Sequence, residues 1–211
     1  MNVLIVDYGL GNLWSVKSAF EYVGANVTIS SDPHAIVGSE CLVLPGVGSF
    51  GTGMHNLRSR GLVEALNEAV IDKGTPMLGI CLGMQLLADE SEEAPGVEGL
   101  GWVPGRVVRF REKNLRLPHM GFNTASLTQD VSPLLQGVNG TADFYFVHSY
   151  CFTPNDEAHI LLRTTYGVSF ASAVRKDNII GVQFHPEKSQ STGLRLISNF
   201  LKFSAGVQGH G

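Results

Sequence analysis

Residues 79–83 read Gly79-Ile80-Cys81-Leu82-Gly83, after an apolar run at 76–80 and before a helix predicted over 82–88. A cysteine on a sharp strand-to-helix turn between glycines has the form of a nucleophile elbow. Its strained backbone holds the thiol clear of the strand, and the glycines let the turn pack. The helix that follows offers free N–H groups and the positive end of its dipole, which favour a thiolate and an oxyanion. Such a nucleophile needs a base, and the base needs an orienting group. The strand predicted over 178–184 runs into His185-Pro186-Glu187. In extended backbone, residues two apart point the same way, so His185 and Glu187 are expected on one face. Cys81, His185 and Glu187 together make a candidate triad for acyl transfer. Pro45-Gly46-Val47-Gly48 follows another apolar run at 41–44 and can bring backbone N–H groups to the same edge.

The elements that must carry these residues follow from the hydrophobic pattern. Apolar runs at 2–6, 26–30, 41–44 and 76–80 read as buried strands, and 13–23, 57–71 and 82–88 as helices. Alternating strand and helix predicts an α/β fold with a doubly wound, mostly parallel sheet. From Gly101 to Ile180 the pattern changes: strands are expected at 103–109, 141–150, 159–165, 170–175 and 178–184, without long helices between them. That predicts an antiparallel extension of the same sheet. A helix over 193–203 closes the chain, so one domain at 1–205 and a loose tail at 206–211 are expected. The catalytic candidates then fall at the C-terminal ends of strands, where open α/β sheets place their sites.

Composition narrows the function. The 211 residues carry 15 Lys+Arg against 19 Asp+Glu, a net charge of −4, with only 16% charged residues. No basic run occurs, which argues against a protein that works by neutralising phosphates. Mean hydropathy is +0.10 and 25 residues are glycine, so a large core or a face committed to a partner is expected. The start lacks a basic segment and a long apolar stretch, so no signal peptide, no membrane span and a cytoplasmic location are expected. Three cysteines at unrelated spacings exclude a disulfide framework, and the seven histidines do not cluster as metal ligands. Cys41 and Cys151, in strand-like runs, read as structural. Gly9-Leu10-Gly11 lacks the third glycine and the acidic residue of a dinucleotide fingerprint.

With the elbow and His185-Pro186-Glu187 in place, the chain resembles the class I (triad-type) glutamine amidotransferase family over nearly its whole length. That family has a three-layer, flavodoxin-like fold. Narrower motifs mark a subfamily: Asp7-Tyr8-Gly9-Leu10-Gly11-Asn12, Pro45-Gly46-Val47-Gly48, Pro118-His119-Met120-Gly121-Phe122-Asn123 and Tyr145-Phe146-Val147-His148-Ser149-Tyr150. The resemblance implies that Cys81 forms a γ-glutamyl thioester from glutamine, His185 shuttles protons and Glu187 orients it. It implies oxyanion donors at Val47 and Leu82, and glutamine contacts at Gly46, Gly48, Gln85, Ser149 and Tyr150. No metal or cofactor is implied. The subfamily passes its ammonia to a separate cyclase subunit, an eight-fold β/α barrel making imidazole glycerol phosphate and an aminoimidazole carboxamide ribotide in histidine biosynthesis. The docking face implied for that heterodimer includes Asn12, Phe122, Tyr145 and Lys188. One departure stands out, since the family usually has Trp where this chain has Phe122, and an indole N–H is lost. His119 and His148 have no evident chemical role and are expected as buried, hydrogen-bonded support. Alternatives remain at this point: a glutaminase serving another acceptor such as pyridoxal phosphate synthase, a stand-alone γ-glutamyl cysteine hydrolase, and a non-catalytic module on the same fold.

Overall fold

The computed structural model describes residues 1–112, 115–128, 133–137 and 140–208. Strand β1 (Asn2–Val6) leads through α1 (Leu13–Tyr22) to β2 (Asn26–Ser30), then α2 (Pro33–Val37) to β3 (Leu42–Gly46). Next come α3 (Phe50–Ser59), α4 (Leu62–Asn67), β4 (Met77–Cys81) and α5 (Leu82–Gln85). The second half holds β5 (Glu90–Ser91), β6 (Gly105–Arg109), β7 (His119–Leu127), β8 (Thr141–His148), β9 (Tyr150–Pro154), β10 (Ile160–Tyr166), β11 (Val168–Lys176), β12 (Ile179–Val182) and α6 (Gln190–Gln208).

Nine of these strands form one sheet, in the order β2-β1-β3-β4-β12-β11-β10-β7-β8. The β2 to β12 half is parallel and the β12 to β8 half antiparallel. Alternation along β1 explains the layers: Val3 and Ile5 pack with Val16 and Phe20 of α1 and with Ile197 and Phe200 of α6. Leu4 and Val6 pack on the opposite face with Ile36, Met54, Leu57 and Leu66. Both faces of the parallel half are thus buried, as its unbroken apolar runs require. The expected α/β class and its mixed sheet hold.

Several boundaries differ for local reasons. The helix expected over 57–71 is two, because Gly61 takes a left-handed φ of +66° and interrupts it. A π turn (Glu68–Asp72) then completes α4. The helix expected over 82–88 stops at Gln85. The expected strand at 141–150 splits at Ser149, whose carbonyl accepts the Phe110 N–H at 3.3 Å. Its second part, β9, joins β6 and β5 in a separate three-stranded sheet, so the strand predicted near 103–109 does not extend the large one. Strand β7 and helix α2 were not anticipated as elements; α2 is a five-residue helix opened by Pro33 and capped by Asp32. Helix α6 runs on through 206–208, where a loose tail was expected, with Phe203 under the Arg175 guanidinium and Ser204 Oγ on the Phe200 carbonyl. Residues 209–211 lie outside the described residues. Among those described, no helix is long and apolar enough to cross a membrane.

Candidate active site

Cys81 ends β4 and Leu82 begins α5 with no residue between them. The turn forces Cys81 to φ 55° and ψ −107°, a conformation that side chains rarely adopt. The flanking glycines are required by contact. A Cβ on Gly83 would sit 1.8 Å from the Leu44 carbonyl oxygen, and one on Gly79 would come within 2.8 Å of the Gly83 carbonyl. The elbow is therefore wedged between β3 and its own helix.

His185 comes alongside the elbow from the neighbouring strand of the sheet, since β12 lies beside β4 with Val182 level with Ile80. The expected extended run from 178 through Glu187 is not what unites the pair. β12 ends at Val182, and Pro186–Lys188 form a 3₁₀ turn that swings the carboxylate back onto the ring. His185 Nδ1 lies 2.8 Å from Glu187 Oε1, and the two side chains are only 3% and 2% exposed. Burial alone would lower the imidazole pKa, but the adjacent Cys81 and Glu187 outweigh it and raise it to about 9. His185 Nε2 has no hydrogen-bond partner among the described residues, nor has Glu187 Oε2.

Val47, Gly48, Leu82, Gln85, Ser149 and Tyr150 surround Cys81 in a cavity of about 380 Å³. Gly46 lies one residue behind its wall, paired with Cys81 across β3 and β4. A Cβ there would overlap the Tyr8 hydroxyl at 2.0 Å and approach Leu82 Cβ at 2.9 Å. Sequence reasoning missed Glu93, Pro118 and Val147, which complete the cavity, and gave His148 no place in it. It also missed Gln183. This fully buried amide donates from Nε2 to Cys81 Sγ at 3.8 Å and accepts from Gln85 Nε2 at 3.0 Å. Its signal was a polar residue within the apolar run that leads to His185. Tyr8 is a second omission: its hydroxyl is buried and has no hydrogen-bond partner among the described residues, and burial with the nearby Cys81 pushes its pKa up.

Cys41 and Cys151 are buried away from the cavity, and burial pushes each thiol up to about 12. Three of the docking candidates come together on one surface. Phe122 stands opposite Tyr145 across β7 and β8 with rings at 5.6 Å, and Lys188 Nζ lies 5.7 Å from the Tyr145 ring. Phe122 is 53% exposed and its neighbour Met120 63%, an apolar patch rimmed by a cation. Asn12 is engaged elsewhere, accepting the Ser15 N–H as the cap of α1.

Known proteins share this architecture and much of its sequence. The family model for glutamine amidotransferase class-I matches residues 4–203. Imidazole glycerol phosphate synthase subunit HisH 1 of Campylobacter jejuni (strain RM1221) is 45% identical over 201 residues, covering 95% of this chain and 99% of that protein. Subunit HisH of Moorella thermoacetica (strain ATCC 39073 / JCM 9320) is 44% identical over 210 residues, covering 99% of both. A solved glutamine amidotransferase superposes with a TM-score of 0.75 over 96% of this chain and 98% of its own, at 21% identity, a likeness of fold. The chain belongs to the class-I glutamine amidotransferase family, among the HisH subunits of imidazole glycerol phosphate synthase.

Proposed function

We propose that this chain hydrolyses glutamine through Cys81 and delivers the ammonia to a cyclase subunit that builds imidazole glycerol phosphate. The observation that carries it is the buried His185–Glu187 pair beside Cys81, which itself lines a cavity of about 380 Å³. Its position beside a strained elbow supports nucleophilic catalysis rather than structural packing of the thiol. Full-length likeness to HisH subunits supports the acceptor over the alternatives of another amination or a stand-alone hydrolase.

The chemistry follows from the atoms. With its pKa raised, His185 takes the thiol proton, leaving a thiolate beside an imidazolium whose Nδ1–H is held by Glu187. The thiolate attacks the side-chain carbonyl carbon of glutamine and forms the C–S bond. Negative charge moves to the carbonyl oxygen, which the N–H groups of Val47 and Leu82 would receive. Leu82 is the first residue of α5, so its N–H has no partner within the helix. Collapse breaks the C–N bond while His185 Nε2 returns its proton to the departing nitrogen, giving ammonia. Water, deprotonated by His185, then cleaves the thioester to glutamate. Gly48, Gln85, Ser149 and Tyr150 supply the walls that hold the glutamine, with Gly46 behind them.

The partner is a cyclase of eight-fold β/α barrel form, docked on the face of Phe122, Tyr145 and Lys188, with Asn12 at the start of α1 as a further docking residue. Residues 1–205 act as a single domain, in the cytoplasm. The test is a glutaminase assay of the full chain, alone and after co-purification with the cyclase of the same source, with and without the cyclase's nucleotide ligand. Strong stimulation by the liganded cyclase is expected. Rapid unassisted turnover, indifferent to that subunit, replaces this reading with a stand-alone hydrolase.

A further inference from the structure

His119 and His148 face each other across the β7–β8 ladder, 3% and 6% exposed. The rings of Phe146 and Tyr166 stack on His119 at 4.8 and 4.1 Å, and Phe110 and Phe170 lie against His148. Inside this aromatic box every polar atom of the two rings is used, and the partners dictate where the protons are. His148 Nδ1 lies 2.7 Å from the Tyr150 carbonyl, which only accepts, so Nδ1 carries the hydrogen. In a neutral ring Nε2 is then bare, and it accepts from His119 Nδ1 at 3.0 Å. That leaves His119 Nε2 bare as well, to accept from Asn123 Nδ2 at 3.1 Å. The Asn123 amide is itself fixed, because its Oδ1 accepts the Thr124 N–H at 2.8 Å and Nδ2 gives its second hydrogen to the Thr165 carbonyl at 3.0 Å. Burial keeps both rings neutral, lowering His119 to about 4 and His148 to about 3.

The chain of bonds therefore runs one way, from Asn123 through His119 and His148 to Tyr150. It meets a second arm at the same oxygen: Gln85 Nε2 also donates to the Tyr150 carbonyl at 3.0 Å, and its other hydrogen goes to Gln183, the amide that touches Cys81. Ser149 and Tyr150 form one wall of the cavity, while Asn123 follows the exposed Phe122 on β7. We propose that Asn123, His119 and His148 are positioning residues that clamp the Tyr150 peptide and tie the Ser149–Tyr150 wall of the glutamine site to the strand carrying Phe122. This rests on the glutaminase reading above. The clamp acts on how glutamine is held, and leaves the chemistry of Cys81 and His185 untouched.

The experiment has two readouts on the full chain. Long-range ¹H–¹⁵N spectra of labelled protein at neutral pH are expected to show both rings neutral and in the Nδ1–H form. The Nε2–H form in either ring overturns the directional chain. In cyclase-stimulated glutaminase assays with glutamine, His148→Phe keeps a ring in the box but loses one hydrogen bond to the wall. KM is expected to rise about tenfold with kcat changed less than about threefold. A fall in the fraction of titratable Cys81 at unchanged KM means that the residue serves stability alone, and overturns the proposal. Should His148→Phe not fold, Asn123→Ala at a half-buried strand position serves, with KM raised about threefold; an unchanged KM there overturns it equally. A wild-type chain without Cys81-dependent glutamine hydrolysis removes the function reading instead, and the ring spectra still decide the bond directions.

Discussion

The backbone N–H of His185 donates to the Tyr145 carbonyl at 2.8 Å, so the strand that carries the Tyr145 ring also holds the candidate base. The Tyr145 N–H donates to Ser189 Oγ at 2.9 Å, and Ser189 Oγ donates to the His185 carbonyl at 2.6 Å. The loop from His185 to Ser189 is thereby stapled to β8. A partner that presses on Tyr145 presses on the backbone of His185.

Lys188 tests this link from its exposed end. Its ammonium over the Tyr145 ring is worth about 0.5–1 kcal/mol at a surface site. Lys188→Ala is expected to weaken cyclase binding by about two- to fivefold and to lower stimulation, with Tm moved less than about 2 °C. Titration of the cyclase against the variant measures both. Unchanged affinity and stimulation remove Lys188 from the interface.

At the elbow, two substitutions separate chemistry from strain. Cys81→Ala and Cys81→Gly are both expected to abolish glutamine hydrolysis, because no other thiol lines the cavity among the described residues. Their stabilities differ. A side chain at φ 55° and ψ −107° costs about 1–3 kcal/mol, whereas glycine adds about 0.5–1 kcal/mol of unfolded-state entropy. Strain is the larger effect, so Cys81→Gly is expected to be the more stable by about 1 kcal/mol. Urea midpoints decide, and the opposite order means that the turn stores no strain.

Close approach at Gly83 gives a sharper contrast. A Cβ there meets the Leu44 carbonyl, which is backbone and cannot rotate away, while among the described residues nothing lies within 4 Å of a Cβ on Gly206 in α6. Gly83→Ala is expected to cost about 3 kcal/mol or more and to disable the elbow. Gly206→Ala is expected to be neutral or to stabilise by up to about 1 kcal/mol. Equal urea midpoints for the two variants contradict the wedged elbow.

These residues also show what a lone sequence discloses. The elbow was legible because its chemistry and its packing both demand glycine at fixed local spacing, at Gly79 and Gly83. The parallel half was legible because strands buried on both faces read as unbroken apolar runs. His185 and Glu187 were identified, yet by the wrong geometry, since a proline can open a 3₁₀ turn as readily as it ends a strand. What stayed hidden is non-local. Nothing near His119 announces His148 as its partner, because their pairing is set by the register of β7 on β8. Tyr8 and Gln183 likewise gain meaning only when β1, β3, β4 and β12 lie side by side, with Gly46 level with Cys81. The split at Ser149 follows from which sheet each half can join, which strand propensity does not encode.

Three buried histidines set opposite limits on stability across pH. His185 is raised to about 9, so it binds its proton more tightly folded than unfolded. Its contribution is complete below the unfolded value of about 6.5 and is lost as pH rises through about 9. His119 and His148 are lowered to about 4 and about 3, and both must stay neutral, since a proton on either ring sets two donors against each other. Their contribution is present above about 6.5 and falls away as pH drops toward those values. Urea midpoints are therefore expected to peak near pH 6.5, below the range in which His185 titrates. Glu187→Gln removes the carboxylate that helps to raise His185, so the alkaline decline is expected to shift to lower pH while the acid limb stays in place. His148→Phe is expected to do the reverse, flattening the acid limb alone. If both variants keep the wild-type profile, the buried histidines do not govern it.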